Sequence, residues 1–468
     1  MSRFFFSVLA ASLGLSSLVG VAWLTVEGAA VCGAQATSEG VSPSLPYCVV
    51  GTGQKRIFSD RGQLLTAPKR GQPFFGQDGM HPGPKAAYRD NGDGTVSDLN
   101  TGLTWVHSRG KKVTWDAAMA GASVCRVGAC SDWRVPTIKE LYSLIDFNGG
   151  YHPEGNSKPY INTKFFDFAY GDESRGERAI DCQDWSATAY VSTTMNGDAT
   201  VFGVNFADGR IKGYPKQRRG PGGQTPHTLY VRYVRGNPHY GKNDFHPNDD
   251  GTITDRATGL MWSKTDSGLG MNWQAALAWI QAKNAERYLG HSDWRLPNAK
   301  ELESIVDYTR APAVTHSPAI DPVFQTTRLS DGEYPFFWSS TTHLDGPSDR
   351  YGLAAVYVAF GRALGWMQFP PGFGEYRLMD VHGAGAQRSD PKSGNPAAFP
   401  HGRGPQGDVI RIDNFVRAVR SLDPASNRLT QPDLMPLPIA RGRGRQPPGP
   451  PGFPPMGPPP GQGFRGGW

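Results

Sequence analysis

The chain is poor in cysteine and lacks the short motifs of the common enzyme classes. Five of its 468 residues are cysteine, and none lies after Cys182. No cysteine pair has histidine or cysteine companions at the spacing of a zinc site. HExxH, GxSxG, a phosphate-binding GxxxxGK[ST] loop and a histidine-rich iron site are absent too. We therefore predict no catalytic residue, no metal site and no cofactor.

An internal repeat sets the domain organisation. Ser131–Leu141 (SDWRVPTIKEL) recurs as Ser292–Leu302 (SDWRLPNAKEL), and the repeat predicts two domains, residues 85–236 and 243–422, each large enough to bury a core. The second copy is longer between Trp366 and Ile410, where we expect an irregular loop. Further matched pairs are Asp93–Asp98 with Asp250–Asp255, Thr101–Trp105 with Thr258–Trp262, Trp185–Thr188 with Trp338–Thr341, and Val231–Arg235 with Val416–Arg420.

The two ends of the chain differ in composition from the repeats. Residues 1–36 resemble a secretory signal peptide, with an apolar run after Arg3 and small residues at Ala34-Gln-Ala36. The run is also long enough for an uncleaved membrane anchor, and both interpretations stay open. Residues 37–84 form a leader segment. Residues 423–468 are rich in Pro, Gly and Arg and are expected to be disordered.

The basic isoelectric point comes largely from that C-terminal tail. Residues 424–468 hold five Arg against one Asp, a net of +4, whereas the whole chain has a net charge of +6. The remaining chain is nearly neutral, so the charge does not indicate specific nucleic-acid binding. No stretch after the N-terminal run is long and apolar enough to cross a membrane.

The cysteines suggest disulfides. Cleavage after Ala36 would leave four of them, an even number that is typical of a disulfide-bonded exported protein. Cys125 and Cys130 flank a short turn, where a local bridge is sterically easy. The remaining pair would be Cys48 with Cys182. The second repeat has no cysteine, so bridges cannot be what makes the fold.

Each repeat shows the same order of predicted elements. A turn such as Asn91–Gly94 indicates a β-hairpin, and the calcium-loop alternative fails because no Glu closes the loop. Two helices follow, the first from Trp115 or Trp273 with an apolar stripe that includes Met119 in the first copy. Short strands rich in aromatic and β-branched residues come last. The order predicts an α+β fold with helices on one side of a twisted antiparallel sheet.

The SDWR blocks supply the candidate site residues. Their arginines could bind a sulfate or carboxylate group of a glycan, or could pair internally with Asp132 and Asp293 as neighbours. The same two interpretations apply to the arginines of the VRxVR blocks, Arg232, Arg235, Arg417 and Arg420. The tryptophans could stack on a sugar or fill the core. We favour scaffold for both, with the glutamates closing helix capping boxes. The motif residues are Trp133, Arg134, Pro136 and Glu140, and then Trp294, Arg295, Pro297 and Glu301.

Taken together, these motifs carry a family resemblance. SDWRxPxxKEL, DGTxxDxxTGLxW, the WSST-like block and the closing VRxVR resemble the Lcl C-terminal domain family, named for a Legionella collagen-like surface protein. Val49–Gln54 and Phe75–Asp78 resemble the leader of such domains. The family is similar to the C-type-lectin-like fold, so the resemblance implies two tandem domains of that fold.

The resemblance also implies a function class. It implies an exported bacterial protein, in the periplasm, at the cell surface or secreted, that binds a partner without catalysis. An anionic glycan or a surface protein is the expected partner, although the chain has no collagen-repeat stalk. The alternative is an enzyme related to the formylglycine-generating oxidases, which share the fold. That chemistry needs a cysteine pair late in the domain, which this chain lacks.

Overall fold

The computed structural model describes residues 45–432, except 82, 221, 348–349, 370–373 and 428. The predicted signal peptide, residues 1–36, lies outside the described residues, as does the tail from residue 433 onward. The described part is a mixed α+β structure with few helices and several antiparallel sheets. The α+β class predicted from the order of elements is therefore confirmed.

The elements of the first repeat follow the predicted order. They are β1 (Tyr88–Asp90), β2 (Thr95–Asp98), β3 (Leu103–Val106), β4 (Val113–Thr114), α1 (Trp115–Val124), α2 (Ile138–Ser143), β5 (Asp184–Thr194), β6 (Asp198–Asn205), β7 (Arg210–Pro215), β8 (Gln217–Gly220), β9 (Gly223–Pro226), β10 (Thr228–Leu229) and β11 (Val234–Gly236).

The second repeat has the same beginning and a different end. Its elements are β12 (Phe245–Pro247), β13 (Thr252–Asp255), β14 (Leu260–Ser263), α3 (Trp273–Ala285), α4 (Ala299–Ser304), α5 (Pro312–Thr315), β15 (Phe336–His343), β16 (Ala354–Ala359), β17 (Leu364–Phe369), β18 (Glu375–Asp380), β19 (Gln387–Pro391) and β20 (Val419–Ser421).

An opening sheet of the same register begins both repeats. Its strand order is β1-β2-β3-β11 in the first copy and β12-β13-β14-β20 in the second. Trp105 lies opposite Val234 of the closing strand, and Trp262 lies opposite Val419. The closing strand thus pairs with the third strand, which brings the two ends of each repeat together.

Local side-chain bonds explain the hairpin turns. The Asp93 carboxylate accepts hydrogen bonds from the backbone N–H and the hydroxyl of Thr95, at 3.0 and 2.6 Å. Asp250 accepts the same two bonds from Thr252, at 2.9 and 2.6 Å. Such Asx bonds favour turns, and the predicted hairpin is confirmed in both repeats.

A central sheet joins the two repeats. Among the described residues its order is β15-β16-β19-β7-β6-β5, so strands of both copies form one sheet. The junction is the antiparallel contact between Gln387 of β19 and Ile211 of β7. The largest buried apolar cluster also contains residues of both copies, including Trp105 and Trp262. The two repeats therefore share one core.

The predicted irregular loop after Trp366 is wrong. Strands β17 and β18 form a hairpin there. The next strand, β19, joins the strands of the two repeats in the central sheet. The sequence Gln387–Pro391 is polar, so it carries no apolar pattern of a strand. Its charged groups are paired instead, since Arg388 forms an ion pair with Asp408 and Asp390 accepts from Asn414.

The capped helices α2 and α4 meet across the boundary between the repeats through two matched lysines. Lys139 Nζ donates to the carbonyl of Ser304, the last residue of α4, at 2.6 Å. Lys300 Nζ donates to the carbonyl of Ser143, the last residue of α2, at 2.7 Å. An ammonium group at a helix C-terminus satisfies a free carbonyl and the helix dipole. Each helix is thus closed by a lysine of the other copy.

The leader fills the remaining space between the repeats. The Gln54 side chain donates to Thr342 O and accepts from Thr342 N, both at 2.8 Å, as a neighbouring strand would. The buried Asp78 carboxyl accepts from the hydroxyls of Thr52 and Thr341, at 2.7 and 2.6 Å. Lys300 also donates to Gly51 O at 3.2 Å. The leader is therefore part of the core and not a tether.

The start of the C-terminal tail is ordered, contrary to the expected boundary at residue 423. Residues Pro424–Asn427 form a short 3-10 helix. The Asn427 side chain donates to Asp293 at 3.0 Å, and Thr430 N donates to Met80 O at 2.9 Å. These polar bonds to the second repeat and the leader hold a segment whose composition suggested disorder.

The reciprocal lysines give a stability prediction. Lys300→Ala removes the donor of two buried carbonyls, so we expect it to lower the unfolding free energy by on the order of 2–4 kcal/mol. Because the core is shared, calorimetry should still show one transition. Lys139→Ala should act in the same way, whereas the exposed Lys111→Ala should leave the melting temperature unchanged. Separate transitions for the two repeats would contradict the shared core.

Candidate functional site

Each SDWR block is tied to the closing strand of its own repeat. The backbone groups of Arg134 and Val234 exchange two hydrogen bonds, both of 2.9 Å, and those of Arg295 and Val419 exchange two of 2.8 and 3.0 Å. The blocks therefore lie in the same structural context in both copies. The candidate site is the junction formed by the SDWR block, the capped helix and the closing strand.

The SDWR arginines bind glutamates that also cap helices. Both terminal nitrogens of Arg134 donate to Glu140, at 2.6 Å each, and those of Arg295 donate to Glu301 in the same bidentate way. The same carboxylates accept from the backbone N–H of the helix N-caps, Thr137 and Asn298, which closes the capping boxes. One buried carboxylate thus fixes an arginine and a helix start.

The expected internal pairing with Asp132 and Asp293 is wrong for Arg134 and Arg295 and is confirmed for the closing block. Asp132 binds Arg235 at 2.6 Å, and Asp293 binds Arg420 at 2.7 Å. Each aspartate lies two residues before the SDWR arginine on extended backbone, which separates the two side chains along the chain. The closing strand instead places Arg235 or Arg420 directly opposite the aspartate. The VRxVR block therefore neutralises the SDWR aspartates.

The tryptophans and prolines of the block also serve the scaffold. Trp133 and Trp294 are 5% and 2% exposed, and their indole N–H groups donate to Val127 O and Tyr288 O. The carbonyl groups of the two prolines accept hydrogen bonds from the first long strand of each repeat, at 2.7 Å for Pro136 and 2.8 Å for Pro297.

The other arginine of each closing block lies fully inside the fold. Arg232 and Arg417 are 0% and 1% exposed. Arg417 donates to Ser263 O, Lys264 O and Gln325 O, at 2.6–2.9 Å. Burial lowers the pKa of Arg417 to about 10. Such a cradle of carbonyls positions loops and leaves no room for a substrate.

The two copies of the site differ in coverage. The side chain of Arg134 is 36% exposed, whereas that of Arg295 is 7% exposed. Over Arg295 the leader and the segment after β20 enclose a cavity of about 50 Å³. Its lining residues are Arg70, Phe75, Gly76, His81, Leu277, Ile280, Gln281, Asn284, Asp293, Trp294, Arg295, Leu296, Asn427 and Leu429.

Two buried polar atoms of residues that line this cavity have no partner among the described residues. They are Nε of Arg295, a donor, and Nδ1 of His81. Burial, with the charges of Arg295 and Arg70, lowers the pKa of His81 to about 3, so its ring is neutral near pH 7. The sequence comparison could not find His81, because it belongs to the leader, which is not repeated.

The predicted disulfides are absent, since Cys48, Cys125, Cys130 and Cys182 are not bridged in the structure. The Cys130 thiol turns back to its own turn and donates to Gly128 O at 3.3 Å. Burial raises the pKa of Cys48 to about 11 and that of Cys182 to about 12. Because disulfide formation needs a thiolate, burial keeps this second pair in the inert thiol form.

A buried charged network at the junction of the sheets was not predicted. His382 and Arg388 both bind Asp408, and Arg210 binds Asp345 at 2.7 Å. Most of these residues lie in the unmatched insertion, so the repeat gave no signal for them. No cluster of His, Cys, Asp and Glu in the described part of the chain is arranged to hold a metal ion.

The Lcl C-terminal domain model matches residues 94–235 and 251–370. The chain belongs to the Lcl C-terminal domain family. Both matched segments contain an SDWR block, so the chain carries two tandem copies of the Lcl domain. The second match ends at residue 370, near the start of the insertion, although the closing Arg417 occupies the same place as Arg232.

No curated protein and no solved structure matches the chain. Within the described residues, no helix is long and apolar enough to span a membrane.

The different solvent exposure of the Arg134 and Arg295 side chains gives a stability prediction. Arg295→Ala leaves the buried Glu301 without its cation, so we expect a loss of on the order of 3–5 kcal/mol in unfolding free energy. Arg134→Ala should cost less, because the exposed side of that pair stays hydrated. Urea unfolding of both variants measures the difference. Equal losses would show that coverage by the leader does not strengthen the pair.

The leader carboxyl gives a pH prediction. Burial raises the pKa of Asp78 from 3.8 to about 7, so the folded chain binds more protons than the unfolded chain between these values. The contribution of Asp78 to stability therefore falls as pH rises from about 4 to about 7. Asp78→Asn keeps an acceptor oxygen and cannot ionise, so it should reduce this fall by on the order of 2–4 kcal/mol.

Urea unfolding at pH 4.5 and 7.5 tests this. The parent is the reference, because other buried groups also titrate here: burial raises the pKa of Glu303 to about 7 and of Asp380 to about 6, and it lowers the pKa of His81 to about 3, which acts in the opposite direction. An unchanged decline would contradict the role of Asp78.

Proposed function

We propose that the protein is an exported, non-catalytic binding module that recognises an anionic group, a carboxylate or a sulfate of an acidic glycan. The observation that carries this is the cavity beside Arg295, with its two unpartnered nitrogens. An oxyanion accepts hydrogen bonds and gains from nearby guanidinium charge. At about 50 Å³, the cavity has room for one such group, with the rest of the sugar outside.

The charges at the cavity support an anion over a cation. Arg70 is an exposed residue of the leader, and its guanidinium lies over Phe75, 5.7 Å from the ring centroid. Arg295 is neutralised by Glu301, and Asp293 by Arg420. The charge of Arg70 therefore remains to attract a ligand, and the neutral His81 can donate or accept.

The proposal extends to the fold and the location. Each repeat places a hairpin, two helices and long antiparallel strands in order and joins its ends through the opening sheet, which supports a C-type-lectin-like domain. Export rests on the N-terminal sequence, where the apolar run Phe4–Leu24 is followed by the small residues Ala34-Gln-Ala36. A cysteine oxidase needs a reactive thiolate, and therefore a thiol of lowered pKa. Burial raises the pKa of the Cys48 and Cys182 thiols instead, which supports a non-catalytic role.

Calorimetric titration with a heparin-derived disaccharide, and with neutral chitobiose, tests the proposal. The sulfated sugar should bind, and Arg70→Gln should weaken its binding at least about tenfold, an effect that salt reduces. Arg61→Gln, another exposed leader arginine, is the matched control and should bind as the parent does. Bound anion should also raise the pKa of His81, measured by NMR. Equal binding by both variants would sink the proposal.

A further inference from the structure

Most polar groups that line the cavity beside Arg295 are bonded to other parts of the fold. The Asn284 side chain donates to Trp294 O and accepts from Trp294 N, both at 2.7 Å. The Gln281 side chain binds the leader backbone, accepting at 2.6 Å and donating at 3.3 Å. The indole N–H of Trp294 donates to Tyr288 O at 2.7 Å. These groups therefore hold the walls of the cavity through internal bonds.

The acidic group of the cavity is bonded in the same way. Asp293 accepts from Arg420 at 2.7 and 3.0 Å and from Asn427 at 3.0 Å. The side chain of Asn427 also donates to and accepts from the backbone of Ser421, at 2.8 and 3.0 Å. Because Arg420 already neutralises Asp293, this carboxylate needs no bound cation.

Two nitrogens of the lining residues remain without a partner in the described part of the chain, Arg295 Nε and His81 Nδ1. Arg295 is 6% exposed, so its Nε–H is shielded from bulk water. The neutral ring of His81 has one N–H, which lies on Nδ1 in one of its two tautomers. The SDWR block and the leader thus supply one fixed N–H donor each.

The rest of the wall limits how many oxygens a ligand can bring. Its side chains are apolar and belong to Phe75, Leu277, Ile280, Leu296 and Leu429. An oxygen turned toward them would lose its hydrogen bonds to water and gain none, which costs free energy. The number of fixed donors therefore sets the number of oxygens that the cavity accepts.

We propose that the group bound in the cavity beside Arg295 is a planar carboxylate and not a sulfate. A carboxylate has two oxygens, so Arg295 Nε and His81 Nδ1 each donate to one of them. A sulfate ester has three terminal oxygens, and the fixed donors leave at least one of them without a partner. The inference rests on the proposed function, in which the carboxylate is that of a uronic acid in an acidic glycan.

The size of the cavity favours the same group. A buried water needs roughly 10–15 Å³, so a cavity of about 50 Å³ holds three or four atoms of that size. A carboxylate has three heavy atoms in one plane. A sulfate ester has five, arranged as a tetrahedron. The exposed Arg70 attracts either anion and does not separate the two.

Calorimetric titration of the full chain with matched disaccharides tests the choice. The hyaluronan disaccharide carries a uronate and no sulfate, whereas the keratan sulfate disaccharide carries sulfate and no carboxylate. The hyaluronan disaccharide should bind at least about tenfold more tightly than the keratan sulfate disaccharide. Methyl esterification of its uronate removes the charge and should weaken its binding by a similar factor.

The outcomes separate this inference from the proposed function. Equal or tighter binding of the keratan sulfate disaccharide would overturn the carboxylate and leave glycan binding in place. Failure of these sugars and of the heparin-derived disaccharide would overturn both. An N-acetylated dipeptide with a free C-terminal carboxylate is the last probe. If it binds more tightly than the hyaluronan disaccharide, the carboxylate is supported and a glycan source is refuted.

Variants of His81 locate the site. His81→Phe removes the donor and keeps a ring, so affinity for the hyaluronan disaccharide should fall at least about tenfold. His81→Asn places an amide N–H near the position of Nδ1 and should restore most of the affinity. The matched control His239→Phe changes an exposed histidine and should bind as the parent does.

NMR of the unaltered chain decides the site if the variants fold poorly. The Nε–H signal of Arg295 and the ring nitrogen signals of His81 should shift on addition of the hyaluronan disaccharide, and the proton of His81 should move to Nδ1. The keratan sulfate disaccharide should leave both residues unchanged. Binding of the hyaluronan disaccharide without these shifts would place it elsewhere and refute the assignment.

Discussion

The contact between the two capped helices is the constraint on which the rest of the structure depends. Each helix ends at a serine whose carbonyl binds a lysine of the other repeat. This exchange cannot form in one repeat alone, and it draws the two cores together. Burial lowers the pKa of Lys300 to about 8, so the ammonium group is held at the expense of its hydration. The leader and the central sheet then enclose the contact from two sides.

Features written in short stretches of sequence were predictable. The Asp93 turn, the capping boxes of Glu140 and Glu301 and the burial of Trp133 and Trp294 depend on residues within about one helical turn or hairpin. The internal repeat strengthened each prediction, because two independent copies had to satisfy the same local geometry. The family match rests on these same blocks.

Features set by distant segments could not be predicted. Met119 is 40% exposed, so its expected burial in an apolar stripe is wrong. Its equivalent Leu277 is 1% exposed where the leader lies beside α3, and the repeat pattern contains no information on the leader. Strand β19 has a polar sequence because its side chains join a buried ionic network, so it lacks the alternation that marks a strand. The cavity beside Arg295 needs His81 and Leu429, which lie outside both repeats. Duplicated sequence therefore predicted what the copies share and not where they differ.

The leader bonds also fix an order of assembly. Thr341 donates to Asp78 across 263 positions of sequence, and Thr342 binds Gln54 across 288. A chain that is made or threaded from its N-terminus holds the leader without these partners until the second repeat has emerged. Contacts of such separation form late and slowly. The leader is thus among the last segments to be fixed, and a chaperone would meet it without its core contacts.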